Sequence, residues 1–273
     1  MKRLVTICAL ATVAVPLAAH DMFLVIEDHQ LPVESEVSVS LYNGTFDKSE
    51  NAIDRERMID VSLVDGQGDI SHPATGQWQD EDKTSVLKFR TGDPGTYVLG
   101  VSTKPNMIEL SAEDFNEYLA HDGVLDVLEG RQKDGTLDQA ANERYAKHVK
   151  TILQVGEVAT EIYSTLLGYP IEIVPQTNPA DLSPGDSLRV LVMADGSPAA
   201  DQLIYASYAG YHSHAETGGH QEAIHTRTDD NGVAEIEITR SGRWYIRLIR
   251  MLPVTEDGVD YESNWATLTF EVQ

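Results

Sequence analysis

Short runs of β-branched and apolar residues, separated by tight turns, restrict the fold of this chain more than any other feature. Alternation such as "EVSVSLYN" and "GVAEIEITR" is typical of strands that bury one face. Turn residues stand between the runs, and the pair Asn231-Gly232 between β-rich stretches indicates a hairpin. Runs of this kind fill residues 20–107 and again 169–273, so the sequence predicts two β-rich regions.

The residues between these two regions change period. Apolar residues recur at helical spacing after Ser111, and acidic residues follow it as they do in the first turn of a helix. A second helical pattern lies in "DQAANERYAKHVKTILQVG". The spacing predicts two helices, over about 111–130 and 136–167. We expect His121 and His148, as isolated histidines on these helices, to lie at the surface or at helix ends.

The predicted fold is mainly β, with two immunoglobulin-like β-sandwich domains and a helical segment between them. The predicted division is a signal peptide over 1–19, an N-terminal β-sandwich over 20–107, a helical insert over 108–168 and a C-terminal β-sandwich over 169–273. A chain of this length is long enough to bury hydrophobic cores in one or two domains.

The first residues have the layout of a secretory signal. Lys2 and Arg3 precede an apolar run that is too short to span a bilayer, and Leu17-Ala18-Ala19 offers small residues for cleavage. We therefore expect export to the periplasm, with no membrane insertion after the signal is removed. Cleavage after Ala19 makes His20 the first mature residue. It also removes Cys8, the one cysteine of the chain, so disulfides cannot support the exported fold.

The charge balance excludes some classes of partner. The chain has 20 Lys and Arg against 44 Asp and Glu, a formal net charge of −24. Such a negative surface argues against nucleic acid and anionic membranes as partners. It is compatible with attraction of cations, and also with a role in solubility alone.

The histidines are distributed unevenly. Of nine in the chain, four fall within "YHSHAETGGHQEAIH". These four are His212, His214, His220 and His225. Neutral imidazole is a common ligand of nickel, cobalt, copper and zinc. The cluster predicts a histidine-rich, metal-binding loop, although its spacing matches no fixed zinc pattern and does not name the metal.

His20 becomes a stronger ligand if it begins the mature chain. Its free α-amine and its ring Nδ1 can then chelate one metal ion together, because an α-amine with a pKa near 8 gives up its proton readily to such an ion. This arrangement is half of a histidine brace, in which a second histidine supplies the third nitrogen. The sequence leaves open whether His20 and the loop bind one ion or two.

Glu262 lies near the carboxyl end beside Trp265. We expect Glu262 to pair with an arginine such as Arg247, and Trp265 to lie in the core, rather than either residue contributing to a metal site.

Several segments together resemble a known family. They are "AHDMFL", "NGTFDKSE", "ERYAKHVKTILQVG", "GYPIEIVPQTNPADLSPGDSLRVLVMADGSP", "RTDDNGVAEI", "SGRWYIRLIRM" and "DYESNWATLTFEV". The chain is similar to a bacterial family of unknown function whose members are commonly described as periplasmic components of cobalt/nickel-type ABC uptake systems. The resemblance implies an exported β-rich protein with metal ligands at His20 and in the segment 212–225. Members often have histidine where this chain has Arg250, so a ligand at that position is not expected.

The leading hypothesis is a periplasmic protein that binds a transition-metal ion, most readily nickel or cobalt, with copper or zinc as alternatives. It would serve uptake or buffering, possess no enzymatic activity, and have a membrane uptake transporter as a partner. An alternative is a copper oxygenase built on the N-terminal histidine, which would need an aromatic surface for a polysaccharide. Another is a tandem β-sandwich module for carbohydrate binding or adhesion, which predicts no metal affinity.

Overall fold

The computed structural model describes residues 20–211 and 223–273, and this part of the chain is mainly β. The first ten strands are β1 (Asp21–Val25), β2 (Gln30–Leu31), β3 (Glu36–Thr45), β4 (Lys48–Ser49), β5 (Met58–Val64), β6 (Ile70–Ser71), β7 (Trp78–Glu81), β8 (Thr84–Arg90), β9 (Gly95–Thr103) and β10 (Asn106–Leu110). Two helices follow, α1 (Ala112–His121) and α2 (Leu125–Asp134). The remaining strands are β11 (Ala141–Val155), β12 (Ile171–Pro175), β13 (Ser187–Ala194), β14 (Ser197–Pro198), β15 (Leu203–Tyr208), β16 (Ile224–Arg227), β17 (Val233–Glu237), β18 (Gly242–Glu256) and β19 (Val259–Val272). Short 3₁₀ helices lie at Arg55–Arg57, Thr75–Gln77, Glu161–Ser164 and Pro179–Asp181.

The described strands form three sheets. The front sheet has the order β1-β3-β8-β7, with β4 paired to β3. The central sheet has ten strands in the order β16-β15-β18-β19-β11-β9-β5-β6, with β10 and β2 paired to β11. The back sheet has the order β12-β13-β14, with β17 paired to β13. The predicted mainly β, sandwich-like class is confirmed.

The central sheet is covered on both faces. Leu153 of β11 packs in a core with residues of the front sheet such as Leu24 and Leu41. Its neighbour Ile152 packs in a second core with back-sheet residues such as Ile173. Because successive side chains of a strand point to opposite faces, the front and back sheets lie on opposite sides of the central sheet.

In the middle segment, two short helices, α1 and α2, cover most of the range of the single helix predicted over 111–130, and only its start is as expected. Ser111 caps α1, since its side chain accepts a hydrogen bond from the backbone N–H of Asp114. The prediction of a second helix over 136–167 is wrong, because the centre of that range forms the strand β11. The apolar residues of β11 imitate a helical period because the strand is buried on both faces and need not alternate. Before β11, the helix α2 is capped at its end by Gly135, which has the left-handed conformation with φ 72°.

β11 joins the two predicted β regions. It pairs in parallel with β19, from the last region, and antiparallel with β9, from the first. Strands from both ends of the chain therefore share the central sheet, and the amino-terminal residues lie close to residues more than two hundred positions away. Within the described residues, neither helix is long and apolar enough to cross a membrane.

Candidate functional site

His20 lies directly before β1, at the edge of the front sheet. Its Nε2 is 2.8 Å from Oε2 of Glu50, and its side chain is 31% exposed. The two residues meet because β3 pairs with both β1 and β4, so that Gly44 lies opposite Asp21 on one side and Ser49 on the other. The residue before β1 and the residue after β4 are thereby brought together.

A buried lysine lies beneath His20. Lys147 of β11 donates hydrogen bonds to the backbone carbonyl of His20 and, over 3.3 Å, to Oδ1 of Asn43. Its ammonium also lies 5.1 Å from the ring centre of Trp265. Burial lowers the pKa of Lys147 to about 8, against the opposing effect of the Asp21 carboxylate. Lys147 therefore holds the His20 backbone in place from the central sheet.

A buried arginine connects two carboxylate-bearing residues beside this lysine. Arg247 of β18 is 2% exposed. Its Nε lies 3.5 Å from Oδ2 of Asp21, and its Nη1 donates to the backbone carbonyl of Asp122 over 3.0 Å. The guanidinium also lies over the ring of Tyr205, 4.8 Å from its centre. Arg247 thus ties the start of β1 to the end of α1.

Asp122 contains the least satisfied polar atom of this cluster. Its Oδ1 accepts a hydrogen bond of 2.9 Å from Nδ1 of His121, and this bond raises the pKa of His121. Its Oδ2 is buried and has no hydrogen-bond partner among the described residues. A buried carboxylate oxygen without a partner is destabilising unless a hydrogen-bond donor or a cation binds to it.

The described residues on either side of the histidine-rich segment are anchored near this cluster. On one side, the N–H of Gly210 donates to Oδ1 of Asp47, in the turn between β3 and β4. On the other side, Tyr205 lies opposite His225, with ring centres 6.4 Å apart, and its hydroxyl donates to the carbonyl of Gly123. The described residues on both sides of the histidine-rich segment therefore lie close to the neighbours of His20.

The predicted metal ligands are only partly within the described structure. His20 lies in the cluster, and His225 is exposed on β16. The other three, His212, His214 and His220, lie outside the described residues. Within residues 20–211 and 223–273, no three His, Cys, Asp or Glu side chains are placed to hold a metal ion together.

Two expectations about individual residues are wrong. His148 is not at the surface, because it lies in β11 at the centre of the sheet and is 2% exposed. Glu262 does not pair with Arg247. It pairs with Arg144, its neighbour across the parallel β11–β19 ladder, with Arg144 Nε 2.9 Å from Glu262 Oε2. The expected core position of Trp265 is confirmed, since it is 2% exposed and packs beside α1.

Three residues of the cluster were missed at the sequence level, namely Lys147, Arg247 and Asp122. The "AKH" and "IRLIR" contexts of the two cations resemble ordinary amphipathic strands or helices. A signal was present only for Asp122, which directly precedes Gly123, a residue type that often ends a helix. The partners of the cations are far away in the sequence, so no local pattern could have indicated them.

A family comparison relates the chain to other proteins. A family model described as a domain of unknown function (DUF4198) matches residues 17–251. The chain belongs to the DUF4198 family. Membership in DUF4198 confirms the resemblance to a family of unknown function and assigns no activity. No curated protein matches the sequence significantly.

Solved structures show only distant similarity to this DUF4198 chain. Trypsin-activated alpha-2-macroglobulin from Escherichia coli is 11% identical with a TM-score of 0.27, and the match covers 93% of this chain but 16% of the macroglobulin. The D0-D1 domain of intimin is 11% identical with a TM-score of 0.23, and the match covers 92% of this chain and 97% of that domain. Neither similarity is close enough to transfer a function.

Proposed function

We propose that this chain is an exported, non-enzymatic protein that binds a transition-metal ion for uptake or buffering. Nickel or cobalt is the proposed ion, with copper and zinc as alternatives. Cleavage after Ala19 in the periplasm would give His20 a free α-amine, and the amine and the ring would chelate the ion together. The resemblance to cobalt/nickel uptake components supports transfer of the ion to a membrane transporter.

The observation that carries the proposal is the anchoring of the histidine-rich segment. Gly210 is bonded to Asp47, three residues before Glu50, which is the partner of His20. At the other end, His225 lies opposite Tyr205, which is bonded to the residue after Asp122. The described residues on both sides of the segment are thus held beside neighbours of His20. This supports one shared site for His20 and the ligands that we propose in the segment, His212, His214 and His220.

The donor chemistry of the described cluster fits such an ion. Imidazole and amine nitrogens are suitable ligands for nickel, cobalt, copper and zinc. The unpartnered Oδ2 of Asp122 supplies a negative oxygen in the same cluster. The hydrogen bond from Nδ1 of His121 to Asp122 is of the kind that orients histidines in metal sites.

Calorimetric titration with nickel, cobalt, copper and zinc tests the loop. In the mature protein we expect one tight site. Replacement of His212, His214 and His220 together by alanine is expected to weaken binding by at least about tenfold, because nitrogen ligands are removed. His72→Ala is the matched control, since His72 is 66% exposed and follows β6, at the opposite end of the central sheet from β16.

The other outcomes of this titration are informative. Unchanged affinity in the triple variant, or equal loss in His72→Ala, would contradict a site in the histidine-rich segment. Absence of binding to every metal would favour the β-sandwich adhesion or carbohydrate module. Binding of copper alone, with oxidation of an added reductant in air, would favour the copper oxygenase.

A further inference from the structure

A cavity lies away from His20, on the face of the central sheet that the back sheet covers. Its volume is ≈ 500 Å³, which is within the range of small-molecule sites. The floor comes from β5, β9, β11 and β19, and one wall comes from residues 167–170, before β12. His148 on the floor is two residues from Lys150, which pairs with Glu172 of the back sheet, so both side chains point to the same face. The cavity is thus the part of this face that the back sheet leaves open.

The floor of the cavity is a hydrogen-bonded polar row. Ser102 Oγ and His148 Nδ1 are 2.9 Å apart, and His148 Nε2 and Asn264 Oδ1 are also 2.9 Å apart. Burial lowers the pKa of His148, so its ring is neutral and carries one N–H. Nε2 must donate to the Asn264 oxygen, and Nδ1 then accepts from Ser102. This arrangement directs the amide nitrogen of Asn264, one of the residues that line the cavity, away from the histidine.

The row differs from most of this face, which is apolar. Farther along the same face, the central sheet presents Val98, Ile152 and Leu268, all packed in the core against the back sheet. Where a polar side chain of this face does meet the back sheet, it is paired across the interface, as Lys150 is with Glu172, whereas the described side-chain hydrogen bonds of the row join Ser102, His148 and Asn264 only to one another. Ala146 also lines the cavity and lies in no hydrophobic core cluster. The row is therefore suited to contact a bound molecule rather than another layer of protein.

The walls of the cavity carry negative charge and apolar surface. Asp60, Asp195 and Glu262 contribute carboxylates, of which that of Glu262 is already paired with Arg144, and no Lys or Arg lines the cavity among the described residues. The Asp60 carboxylate is held in position by the hydroxyl of Tyr169, which donates to Oδ2 over 2.8 Å. Ile59 adds an apolar side chain that is 63% exposed. Fixed carboxylates favour a cation, and an apolar wall favours an organic body over a hydrated ion.

We propose that this cavity binds a small organic cation, a protonated amine placed near Asp60 and carried on an apolar or aromatic body. The Asn264 amide would donate to an oxygen of the ligand or to a bridging water. This site is separate from the proposed metal centre, so neither proposal depends on the other.

Three ligands with the same body test the charge preference. Phenethylamine, 2-phenylethanol and phenylacetate share a phenylethyl or benzyl body and differ in a positive, neutral or negative head group. Titration into the mature protein, followed by calorimetry or NMR shifts, is expected to show the amine binding at least about tenfold more tightly than the alcohol, and the acid more weakly than both. Equal binding of the three, or no binding of the amine at about 10 mM, would overturn the proposal.

Variants then locate the binding. Asp60→Asn keeps an acceptor for Tyr169 but removes the charge, and we expect it to weaken amine binding about tenfold. Ala146→Leu fills the cavity and should abolish binding of the amine. Asp134→Asn, on the exposed end of α2, removes a carboxylate elsewhere and should change nothing. Thermal unfolding of each variant confirms that it is folded. Amine binding that survives in Ala146→Leu, or that is insensitive to Asp60→Asn, would contradict the assignment.

Discussion

Replacing Lys150 by methionine is expected to lower the free energy of unfolding by about 3–5 kcal/mol, the usual cost of breaking a buried ion pair. Lys150 Nζ lies 2.9 Å from Oε2 of Glu172, and the two side chains are 3% and 2% exposed. The pair links β11 of the central sheet to β12 of the back sheet. Its loss leaves a buried carboxylate without its cation. Backbone N–H groups still donate to that carboxylate, which favours the lower end of the range; they belong to Leu167, Gly168 and Tyr169.

Urea unfolding followed by circular dichroism measures this loss. Adding Glu172→Gln to Lys150→Met should recover part of the stability, because the buried charge is then removed and the amide oxygen can still accept from Gly168 and Tyr169, whereas the N–H of Leu167 loses its acceptor. Arg189→Met is the matched control. Arg189 and Glu235 form an exposed pair in the back sheet, 54% and 66% exposed, and its removal should cost less than about 1 kcal/mol. Equal losses in the two single variants would contradict the importance of the buried pair.

Acid is expected to destabilise the fold through His29. His29 is 3% exposed, and neither ring nitrogen has a hydrogen-bond partner among the described residues. Burial, assisted by the charge of Arg243, lowers the pKa of His29 from 6.5 to about 3. Glu271 does not prevent this, since its Oε2 is 3.8 Å from Nδ1, beyond hydrogen-bonding distance. The folded state therefore keeps this ring neutral at a pH where the unfolded chain protonates it.

The direction of the pH effect follows from these two pKa values. The contribution of His29 is fully present above its unfolded pKa and is lost progressively as the pH falls towards about 3. Between pH 7 and pH 4 the loss is about 3 kcal/mol. His29→Leu should flatten this part of the stability curve, measured by urea unfolding at a series of pH values. A curve for His29→Leu that runs parallel to that of the unchanged protein would contradict the account.

The strands with one buried face were predictable from the sequence. β3 alternates buried and more exposed residues along "EVSVSLY", and β13 does so along "SLRVLVMA". Each of these strands packs on one side only, so the alternation of apolar and polar residues directly indicates which face is buried. The Asn231-Gly232 turn does lie directly before β17, but the predicted hairpin is wrong, because β16 pairs with β15 in the central sheet and β17 pairs with β13 in the back sheet.

β11 was not predictable in the same way. Its two faces contact different sheets, so Ile152 and Leu153 are both buried although they point in opposite directions. Periodicity cannot separate such a strand from a buried helix. Its cations reinforced the error, since Lys147 and Lys150 suggest an exposed face but are buried with partners on different sheets.

Of the residues in the described cluster, the sequence pointed only to His20. His20 could be identified from its place after a signal-like segment, which is information local to the sequence. Its surroundings could not, because Asp21 meets Arg247, and Lys147 meets Asn43, only after β1, β11 and β18 take their places in the sheets. Contacts between residues so far apart in the sequence depend on the order of the strands in the sheets, and no local sequence pattern indicates them.

The most direct test of the proposed metal site uses the amino terminus itself. The mature protein that begins at His20 is compared with a version that has one additional alanine before His20, by calorimetric titration with nickel, cobalt, copper and zinc. The extension converts the α-amine into an amide and leaves the imidazole and all other residues in place. Loss of at least about tenfold in affinity is the result that the account predicts. Equal affinity of the two forms would contradict His20 as a chelating amino-terminal ligand.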